Sequence, residues 1–233
     1  ERFKEDIVSH ATTGIPVQHL TGYEYFYGRT FLVNEHVLIP RVETEELVER
    51  VIQLIKENYR NKPTTIVDIG TGSGIIAITL ALELENVTVY ATDISEKALE
   101  VAKRNAKKLD APVHFMQGDF LRPVIEKGIQ PDVIVSNPPY IKEADRTFLS
   151  DTVKNFDPPI ALFAKEEGLK AYKDIINQLA SYIQKDTFLC FEIGFDQGKA
   201  VTEIIKHYFP NSFVQLSKDI NHKDRIIVAQ MKK

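Results

Sequence analysis

From residue 65 onward, short apolar runs alternate with segments of helical periodicity, and this alternation restricts the fold more than any other feature of the sequence. The apolar runs predict seven strands, at Thr65–Ile69, Val87–Thr92, Val113–Met116, Val133–Ser136, Phe188–Ile193, Ser212–Leu216 and Arg225–Gln230. The helical segments are Gly74–Leu84, Ser95–Leu109, Leu169–Ile183 and Lys199–Tyr208. Strands that alternate with helices form parallel βαβ units with right-handed crossovers. Since only a short polar turn joins the last two strands, we expect an α/β fold whose mostly parallel sheet ends in an antiparallel hairpin.

The first part of the chain follows a different pattern. Residues 1–22 predict the end of a helix, which Gly14 and Pro16 break. Aromatic and β-branched residues then predict a β-hairpin, and a helix is expected from Thr44 to Ile55 because its apolar residues have helical spacing. The chain is therefore expected to have three parts, which are the end of a helical region at 1–22, a β-hairpin linker at 23–40 and the α/β domain at 41–233.

The composition favours a globular protein that does not bind nucleic acid broadly. A net charge of -4 argues against general phosphate binding, which needs clustered Lys and Arg. Cys190 lies in an apolar run, so we expect a core thiol there rather than a nucleophile. The histidines show no metal-ligand spacing, and no metal is expected. Without a signal peptide or a membrane-spanning apolar run, the expected location is the cytoplasm, and a first residue of Glu1 suggests a fragment of a longer protein.

Three of the predicted strands end in residues suited to binding a nucleoside. After the first strand comes the glycine-rich turn Gly70-Thr71-Gly72-Ser73-Gly74, whose glycines let the backbone approach a ligand closely. Its spacing is not that of dinucleotide binders, and alone it is a weak signal. Asp93 ends the second strand, where a carboxylate can accept both ribose hydroxyls. Asp119 and Phe120 follow the third strand and could face an adenine amine and ring, although a helix N-cap and a core residue are the simpler alternatives.

The fourth strand end carries the most informative motif, Asn137-Pro138-Pro139-Tyr140. Two prolines are costly inside a strand and acceptable just past its end, which in an open α/β sheet is where ligands bind. The side-chain oxygen of Asn137 and the backbone carbonyl of Pro138 could together accept both N–H bonds of a substrate NH₂ group. Tyr140 could cover the planar face of that group. The simpler alternative is a proline-rich turn without a functional role.

In this order, the four strand ends resemble the class I S-adenosylmethionine-dependent methyltransferases. An NAD-dependent dehydrogenase would account for the glycine turn and Asp93, but not for residues 137–140. The resemblance implies S-adenosylmethionine as the cofactor, bound by Gly70–Gly74, Asp93, Asp119, Phe120 and Asn137. Methyltransferases with an Asn-Pro-Pro-aromatic motif act on DNA adenine N6, rRNA guanine N2 or protein glutamine N5, so the motif alone does not identify the substrate.

Other segments resemble the HemK/PrmC family of peptide-chain-release-factor glutamine methyltransferases. They are Gln18–Gly22, Leu38–Glu45, Asn137–Ile141, Asp157–Leu162, Gly168–Tyr172 and Glu192–Gly198. The resemblance runs in order from about residue 16 to the end of the chain. It implies methylation of the glutamine in the Gly-Gly-Gln motif of class 1 release factors, with neither membrane nor nucleic acid as a direct partner. Asn137, Pro138 and Tyr140 would then be catalytic, and Asn137–Tyr140 would bind the substrate.

The chain departs from the family pattern at several positions. His19 stands where the family has tyrosine, Phe120 where many members have tryptophan, and His222 where the family has glycine, so a different turn is expected at His222. The family also has an N-terminal helical domain that grips the release factor. Only its last helix is expected here, with weaker binding of the protein substrate as the consequence.

Two other functions remain open from the sequence. A nucleic-acid amino-methyltransferase would share the catalytic motif but would need a basic face. A non-catalytic binding module would keep the fold, although an intact cofactor turn disfavours it. Arg41, Glu43 and Glu45 have two interpretations as well, because they could orient the substrate peptide or simply form a solvated helix start.

Overall fold

The computed structural model describes residues 2–232, and its elements follow the predicted order. The α-helices in this range are α1 (Arg2–Thr13), α2 (Val17–Thr21), α3 (Val42–Asn58), α4 (Ile75–Glu83), α5 (Glu96–Leu109), α6 (Arg122–Glu126), α7 (Asp151–Phe156), α8 (Pro159–Leu162), α9 (Lys170–Ala180) and α10 (Gly198–Tyr208). The strands are β1 (Tyr23–Phe26), β2 (Arg29–Leu32), β3 (Thr64–Ile69), β4 (Val87–Asp93), β5 (Val113–Gln117), β6 (Val133–Ser136), β7 (Ile141–Lys142), β8 (Phe163–Ala164), β9 (Thr187–Glu192), β10 (Phe213–Lys218) and β11 (Asp224–Met231). A 3₁₀ helix spans Glu143–Phe148.

Seven strands form one sheet in the order β10-β11-β9-β6-β3-β4-β5. Strands β3, β4, β5, β6 and β9 are parallel, whereas β11 runs antiparallel to both β9 and β10. The predicted fold class is therefore confirmed. Ile69 pairs with Thr92 on one side and with Ser136 on the other, so the ends of three central strands lie in register at one edge. Residues that follow these strands consequently meet in one place.

The apolar residues of the sheet divide between two cores because successive side chains of a strand point to opposite faces. Val133 and Val135 pack with α3 and α4 on one face, whereas Ile134 packs with α9 and α10 on the other. Cys190 lies in the first core, and burial raises the pKa of its thiol to about 12. It is a core thiol, as predicted.

The hairpin of β1 and β2 is docked onto the α/β domain. Phe26 and Phe31 are fully buried in the same core as α3 and α4. The side-chain amide of Asn105, on α5, bonds both the N–H and the carbonyl of Leu32, at 2.7 and 3.0 Å, and also donates to the Ser73 carbonyl at 2.9 Å. One buried side chain thus ties the hairpin to the glycine turn. The three-part division of the chain stays a prediction.

The structure departs most from the sequence prediction between residues 137 and 168. No element was predicted there, yet β7, the 3₁₀ helix, α7, α8 and β8 all lie in this stretch. Each is at most six residues long, which is too short for a periodicity to show. The stretch is fixed instead by distant contacts, such as the ion pair of 2.8 Å between Arg41 and the buried Asp157. Helix α6 was also missed, and the helix predicted over 169–183 spans Lys170–Ala180.

His222 occupies a turn that favours glycine. The Asp219 carboxylate accepts hydrogen bonds from the backbone N–H groups of Asn221 and Lys223, at 2.9 and 3.0 Å, and from Arg225 Nε at 3.1 Å. His222 has φ +59°, a left-handed conformation that glycine adopts without strain. The turn therefore accepts a histidine through strain at one residue.

None of the helices in residues 2–232 combines the length and the apolar character that a membrane crossing requires.

Candidate active site

The turn after β3 presents bare backbone at the sheet edge. The N–H groups of Gly70 and Thr71 donate to the Thr92 carbonyl, at 2.9 and 3.0 Å. Gly72 has φ +55°, which glycine tolerates best. A Cβ atom on Gly70 or Gly72 would have no atom within 4 Å, so both glycines face open space.

Asp68 supports this turn from inside the sheet. Its Oδ2 accepts hydrogen bonds from the Thr71 hydroxyl at 2.6 Å and from the Ala77 N–H at 3.2 Å, while its buried Oδ1 has no hydrogen-bond partner among the residues that the structure describes. Burial raises the pKa of Asp68 to about 7, against the effect of both bonds. The sequence analysis did not select Asp68 as a site residue. A carboxyl group within a buried apolar strand was the signal that could have found it.

Gly74 serves helix packing at the end of the turn, where its N–H donates to the Thr71 carbonyl at 2.8 Å. A Cβ atom there would come within 2.8 Å of Ile78 Cδ1 and 3.2 Å of Ala102 Cβ. The missing side chain lets the start of α4 approach α5 closely. The structure thus does not bring this predicted cofactor residue to the space that Gly70 and Gly72 face.

Asp93 joins the glycine turn to the next strand end. Its Oδ2 accepts a hydrogen bond from the Gly72 N–H and its Oδ1 one from the Ser95 N–H, both at 2.9 Å. Burial raises the pKa of the carboxyl group, and the bonds from Ser95 and Gly72 oppose this shift. Each carboxylate oxygen can accept a further bond, so a diol in front of it could bind both.

Asp119 and Phe120 follow β5, whose last residue, Gln117, pairs with Asp93. The N-cap alternative for Asp119 is not what the structure shows, because α6 begins at Arg122 with Leu121 at the N-cap position and without a side-chain cap. Phe120 has φ +50°, and its carbonyl accepts a hydrogen bond of 2.8 Å from the Thr92 hydroxyl. Its ring packs partly against the core formed with α9 and α10, so the core alternative holds in part.

These residues line a cavity of about 1090 Å³, counted with its open mouth, that we call the first cavity. Its wall includes the predicted residues Gly70–Ser73, Asp93, Asp119, Phe120, Asn137 and Pro139. It also includes residues 36–41, Thr44, Ile160 and Ala161, which the sequence analysis did not assign to cofactor binding. Bare backbone, a carboxylate with free acceptor capacity and an aromatic ring fit a nucleoside that carries a charged tail, and so they fit S-adenosylmethionine.

The Asn-Pro-Pro-Tyr motif leaves β6 at this same edge. The Asn137 side-chain amide donates a hydrogen bond of 3.2 Å to Thr44 Oγ1. The Tyr140 hydroxyl points inward to Glu192 Oε1 at 3.4 Å, and the Tyr140 carbonyl accepts a bond of 2.9 Å from Gln197 Nε2. Pro138 is buried and lines neither the first cavity nor the adjoining cavity described below. Its predicted role as an acceptor stays a prediction.

A second cavity, of about 620 Å³ with its opening, lies next to the first. Its wall consists of Leu38, Arg41, Asn137, Tyr140, Ile141, Leu149, Val153, Ala161, Leu162 and Glu192. Four of these residues also line the first cavity, namely Leu38, Arg41, Asn137 and Ala161. Asn137 is thus a polar residue in the boundary between two adjoining spaces.

Glu192, at the end of β9, is a buried acid behind this boundary. Burial raises its pKa to about 7, while the hydrogen bond from Thr44 and the charge of Arg225 act in the opposite direction. The sequence analysis quoted Glu192 only as part of a family segment, and it gave Thr44 no role. Nothing in the local sequence shows that these residues meet, because 148 positions separate them.

Arg41 and Glu45, at the start of α3, contact other parts of the fold. Arg41 lines both cavities and pairs with Asp157, and Glu45 Oε1 accepts a bond of 2.6 Å from the Tyr27 N–H. Both side chains therefore have structural partners.

Within residues 2–232, no group of three or more His, Cys, Asp or Glu side chains is arranged to hold a metal ion.

Comparisons with known proteins agree with this geometry. A family model described as Methyltransferase small domain matches residues 46–156. The release factor glutamine methyltransferase of Bacillus cereus is 48% identical over 229 residues, which is 98% of this chain and 81% of that protein. Its counterpart from Bacillus subtilis is 46% identical over 233 residues, with 100% and 81% covered. The N-terminal domain of human METTL16 in complex with SAH shares the fold, with a TM-score of 0.60, 18% identity and coverage of 98% of this chain and 83% of that one.

Sheet order, glycine turn and first cavity define a class I S-adenosylmethionine-dependent methyltransferase. Identity of 46–48% with curated relatives over nearly the whole chain defines the particular family. The chain belongs to the release factor glutamine methyltransferases. The predicted family, fold class, enzyme class and cofactor are confirmed, and the roles of individual site residues are proposals.

Proposed function

We propose that this chain transfers a methyl group from S-adenosylmethionine to the side-chain amide nitrogen, N5, of the glutamine in the Gly-Gly-Gln motif of class 1 release factors. The main observation in support is the position of Asn137 in the wall shared by the two cavities. Cofactor in the first cavity and glutamine in the second would meet beside this side chain.

The cofactor would be held mainly by the glycine turn and the two strand ends beside it. The backbone of Gly70–Ser73 would approach the charged tail, since both glycines there face open space. Asp93 would accept the ribose hydroxyls with the acceptor capacity that Gly72 and Ser95 leave free. Asp119 and the ring of Phe120 would take the adenine. When bound, S-adenosylmethionine supplies a methyl group whose bond to sulfur breaks, its electrons staying on sulfur, as the nitrogen lone pair forms the new bond.

The substrate amide would be oriented by the second cavity. An amide nitrogen is a poor nucleophile because its lone pair is delocalised into the carbonyl, so holding it in line with the methyl group is the main task. The Asn137 side-chain oxygen and the Pro138 carbonyl would accept the two N–H bonds. Tyr140 would cover the amide plane, and acceptors in a largely apolar wall favour a transition state with developing positive charge on nitrogen.

The ionisable side chains of the second cavity, Arg41, Tyr140 and Glu192, do not offer an evident base. Burial raises the pKa of Tyr140 above its ordinary value, which keeps the phenol protonated. Glu192 already receives hydroxyl groups on both carboxylate oxygens. The amide proton would therefore leave to solvent after transfer, when the methylated nitrogen is strongly acidic.

A protein glutamine is the proposed acceptor, in preference to a nucleic-acid base. The family membership and the net charge of -4 support this choice. A release-factor substrate would also place the reaction in the cytoplasm, where translation takes place.

The test offers labelled S-adenosylmethionine with a class 1 release factor, with its Gly-Gly-Gln glutamine variant, and with DNA and RNA in separate reactions. We expect the release factor to gain one methyl group and the glutamine variant to gain none. Efficient methylation of nucleic acid with the release factor unmodified would overturn the proposal.

A further inference from the structure

Thr44 lies between the proposed catalytic amide and a buried acid. Its side chain is 1% exposed, at the start of α3. The Asn137 amide nitrogen lies 3.2 Å from Thr44 Oγ1, which in turn lies 2.7 Å from Glu192 Oε2. Asn137 and Glu192 follow Thr44 in the sequence by 93 and 148 positions, and two consecutive hydrogen bonds join the three residues.

The direction of these two hydrogen bonds follows from the number of protons that each group can donate. Above pH 7 Glu192 is ionised, and a carboxylate only accepts hydrogen bonds, whereas a threonine hydroxyl has a single proton to donate. Glu192 takes that proton, so Thr44 Oγ1 has only lone pairs left for Asn137. Asn137 must therefore turn its NH₂ group toward Thr44, which leaves its carbonyl oxygen for the other side.

Glu192 is itself held in place by other residues, so it can fix the position of the Thr44 hydroxyl. It is 2% exposed, and its second oxygen, Oε1, receives the Tyr140 hydroxyl at 3.4 Å. Tyr140 is fixed in turn by the bond of 2.9 Å from Gln197 to its carbonyl. Gly168 faces that carbonyl so closely that a Cβ atom there would lie 2.2 Å from it. Rotation of the carboxylate away from Thr44 is therefore resisted at its other oxygen.

We propose that Thr44, held by Glu192, is a positioning residue that locks the Asn137 side-chain amide with its oxygen available to the substrate NH₂ group. This inference rests on the proposed function, because it concerns the same amide-binding step. An unlocked Asn137 could rotate by a half-turn and present its own NH₂ group. Donor would then face donor, and an unpaired polar contact at the reacting nitrogen is costly.

The kinetic test compares Thr44→Val with Thr44→Ser in the 233-residue chain at pH 8, where Glu192 is ionised. Valine keeps the volume of threonine and removes the hydroxyl, whereas serine keeps the hydroxyl. For Thr44→Val we expect kcat for release-factor methylation to fall at least tenfold, while the Kd for S-adenosylmethionine stays within twofold. Thr44→Ser should recover kcat to within about threefold of the original chain, which a loss of packing alone would not allow.

Thr79→Val is the matched control. Thr79 is also a fully buried helical threonine, but its hydroxyl has no hydrogen-bond partner among the described residues, and it lines neither cavity. Its kcat should be unchanged. Unchanged kcat in Thr44→Val, or an equal loss in Thr44→Val and Thr44→Ser, would overturn the inference.

A second measurement does not depend on the methyl acceptor. In the chain labelled with ¹⁵N-asparagine, the side-chain NH₂ signals of Asn137 are assigned by their loss in Asn137→Asp. They should shift in Thr44→Val and stay close to their original positions in Thr44→Ser. If the Asn137 side-chain signals had the same chemical shifts in Thr44→Val as in the original chain, the inference would be overturned. Failure of the original chain to methylate a release factor would instead count against the proposed function.

Discussion

The two cavities are built in different ways, although they share a wall. Much of the first wall consists of short runs of consecutive residues, such as Gly70–Ser73 and Asp93–Ser95. The second is assembled from side chains brought together over long distances, as when Glu192 meets Tyr140. A cofactor site of the first kind is readable from local motifs. An acceptor site of the second kind depends on the completed fold, and so it should respond to different substitutions.

The largest expected effect is the loss of S-adenosylmethionine binding in Gly72→Val, which would alter the first cavity and not the second. Gly72 has φ +55° and faces open space, so a valine would be strained and would project into the first cavity. We expect calorimetry to detect no binding of S-adenosylmethionine. Gly28→Val is the matched control, because Gly28 also has a positive φ of +72° and an open surrounding but lies in the hairpin turn. It should lower Tm by a similar amount and leave Kd unchanged, and loss of binding in both variants would remove the special role of Gly72.

Buried acids lie near both cavities, and Glu192 makes the acceptor side sensitive to pH. Burial raises its pKa from 4.5 to about 7. The folded chain therefore keeps a proton that the unfolded chain releases, and the stabilisation present below pH 4.5 is lost as the pH rises toward 7. Glu192→Gln stays neutral throughout, so its free energy of unfolding should gain on the original chain over this window by about 3 kcal/mol at most.

Denaturant unfolding between pH 4.5 and 8 measures this difference. Asp68→Asn offers the equivalent comparison beneath the glycine turn, since burial also raises the pKa of Asp68 to about 7. Parallel pH profiles for Glu192→Gln and the original chain would show that Glu192 titrates normally.

Asn137 should matter for turnover more than for cofactor binding. Asn137→Ala removes the acceptor that aligns the substrate amide, an effect that grows toward the transition state. We expect kcat to fall about a hundredfold or more, the size found for single positioned polar groups. Single-turnover kinetics with a release factor measures this, and Asn177→Ala, an exposed asparagine of α9, is the control. A near-normal kcat for Asn137→Ala would remove it from the mechanism.

The smallest of these effects is expected on the cofactor side, at Asp93. Asp93→Ala removes acceptors for the ribose hydroxyls, and charge-assisted bonds of this kind contribute about 1.5–3 kcal/mol each. The Kd for S-adenosylmethionine should rise at least tenfold, with a smaller loss of Tm from the bonds to Gly72 and Ser95. Asp6→Ala, on α1 and outside both cavities, should leave Kd unchanged. An unaltered affinity in Asp93→Ala would contradict the ribose assignment.

The same contrast explains how much could be predicted from the sequence. The strand ends and the glycine turn were predictable because a turn conformation and a strand period are local properties. The role of Gly74 could not be predicted in this way. Its spacing in the turn suggests a ligand contact, whereas in the structure it allows close packing against Ala102. Thr44 and Glu192 could not be paired from sequence, because only the packing of α3 against β9 brings them together. The short elements of residues 137–168 were missed for the same reason.

A crossed comparison of Asp93→Ala and Asn137→Ala tests the division between the two cavities most directly. Single-turnover methylation of a release factor is measured for both variants while the S-adenosylmethionine concentration is raised to saturation. At saturation, Asp93→Ala should approach the rate of the original chain, because it has lost only affinity. Asn137→Ala should remain about a hundredfold slower at every concentration. If saturation restored Asn137→Ala, or failed to restore Asp93→Ala, the assignment of cofactor and acceptor to the two cavities would be wrong.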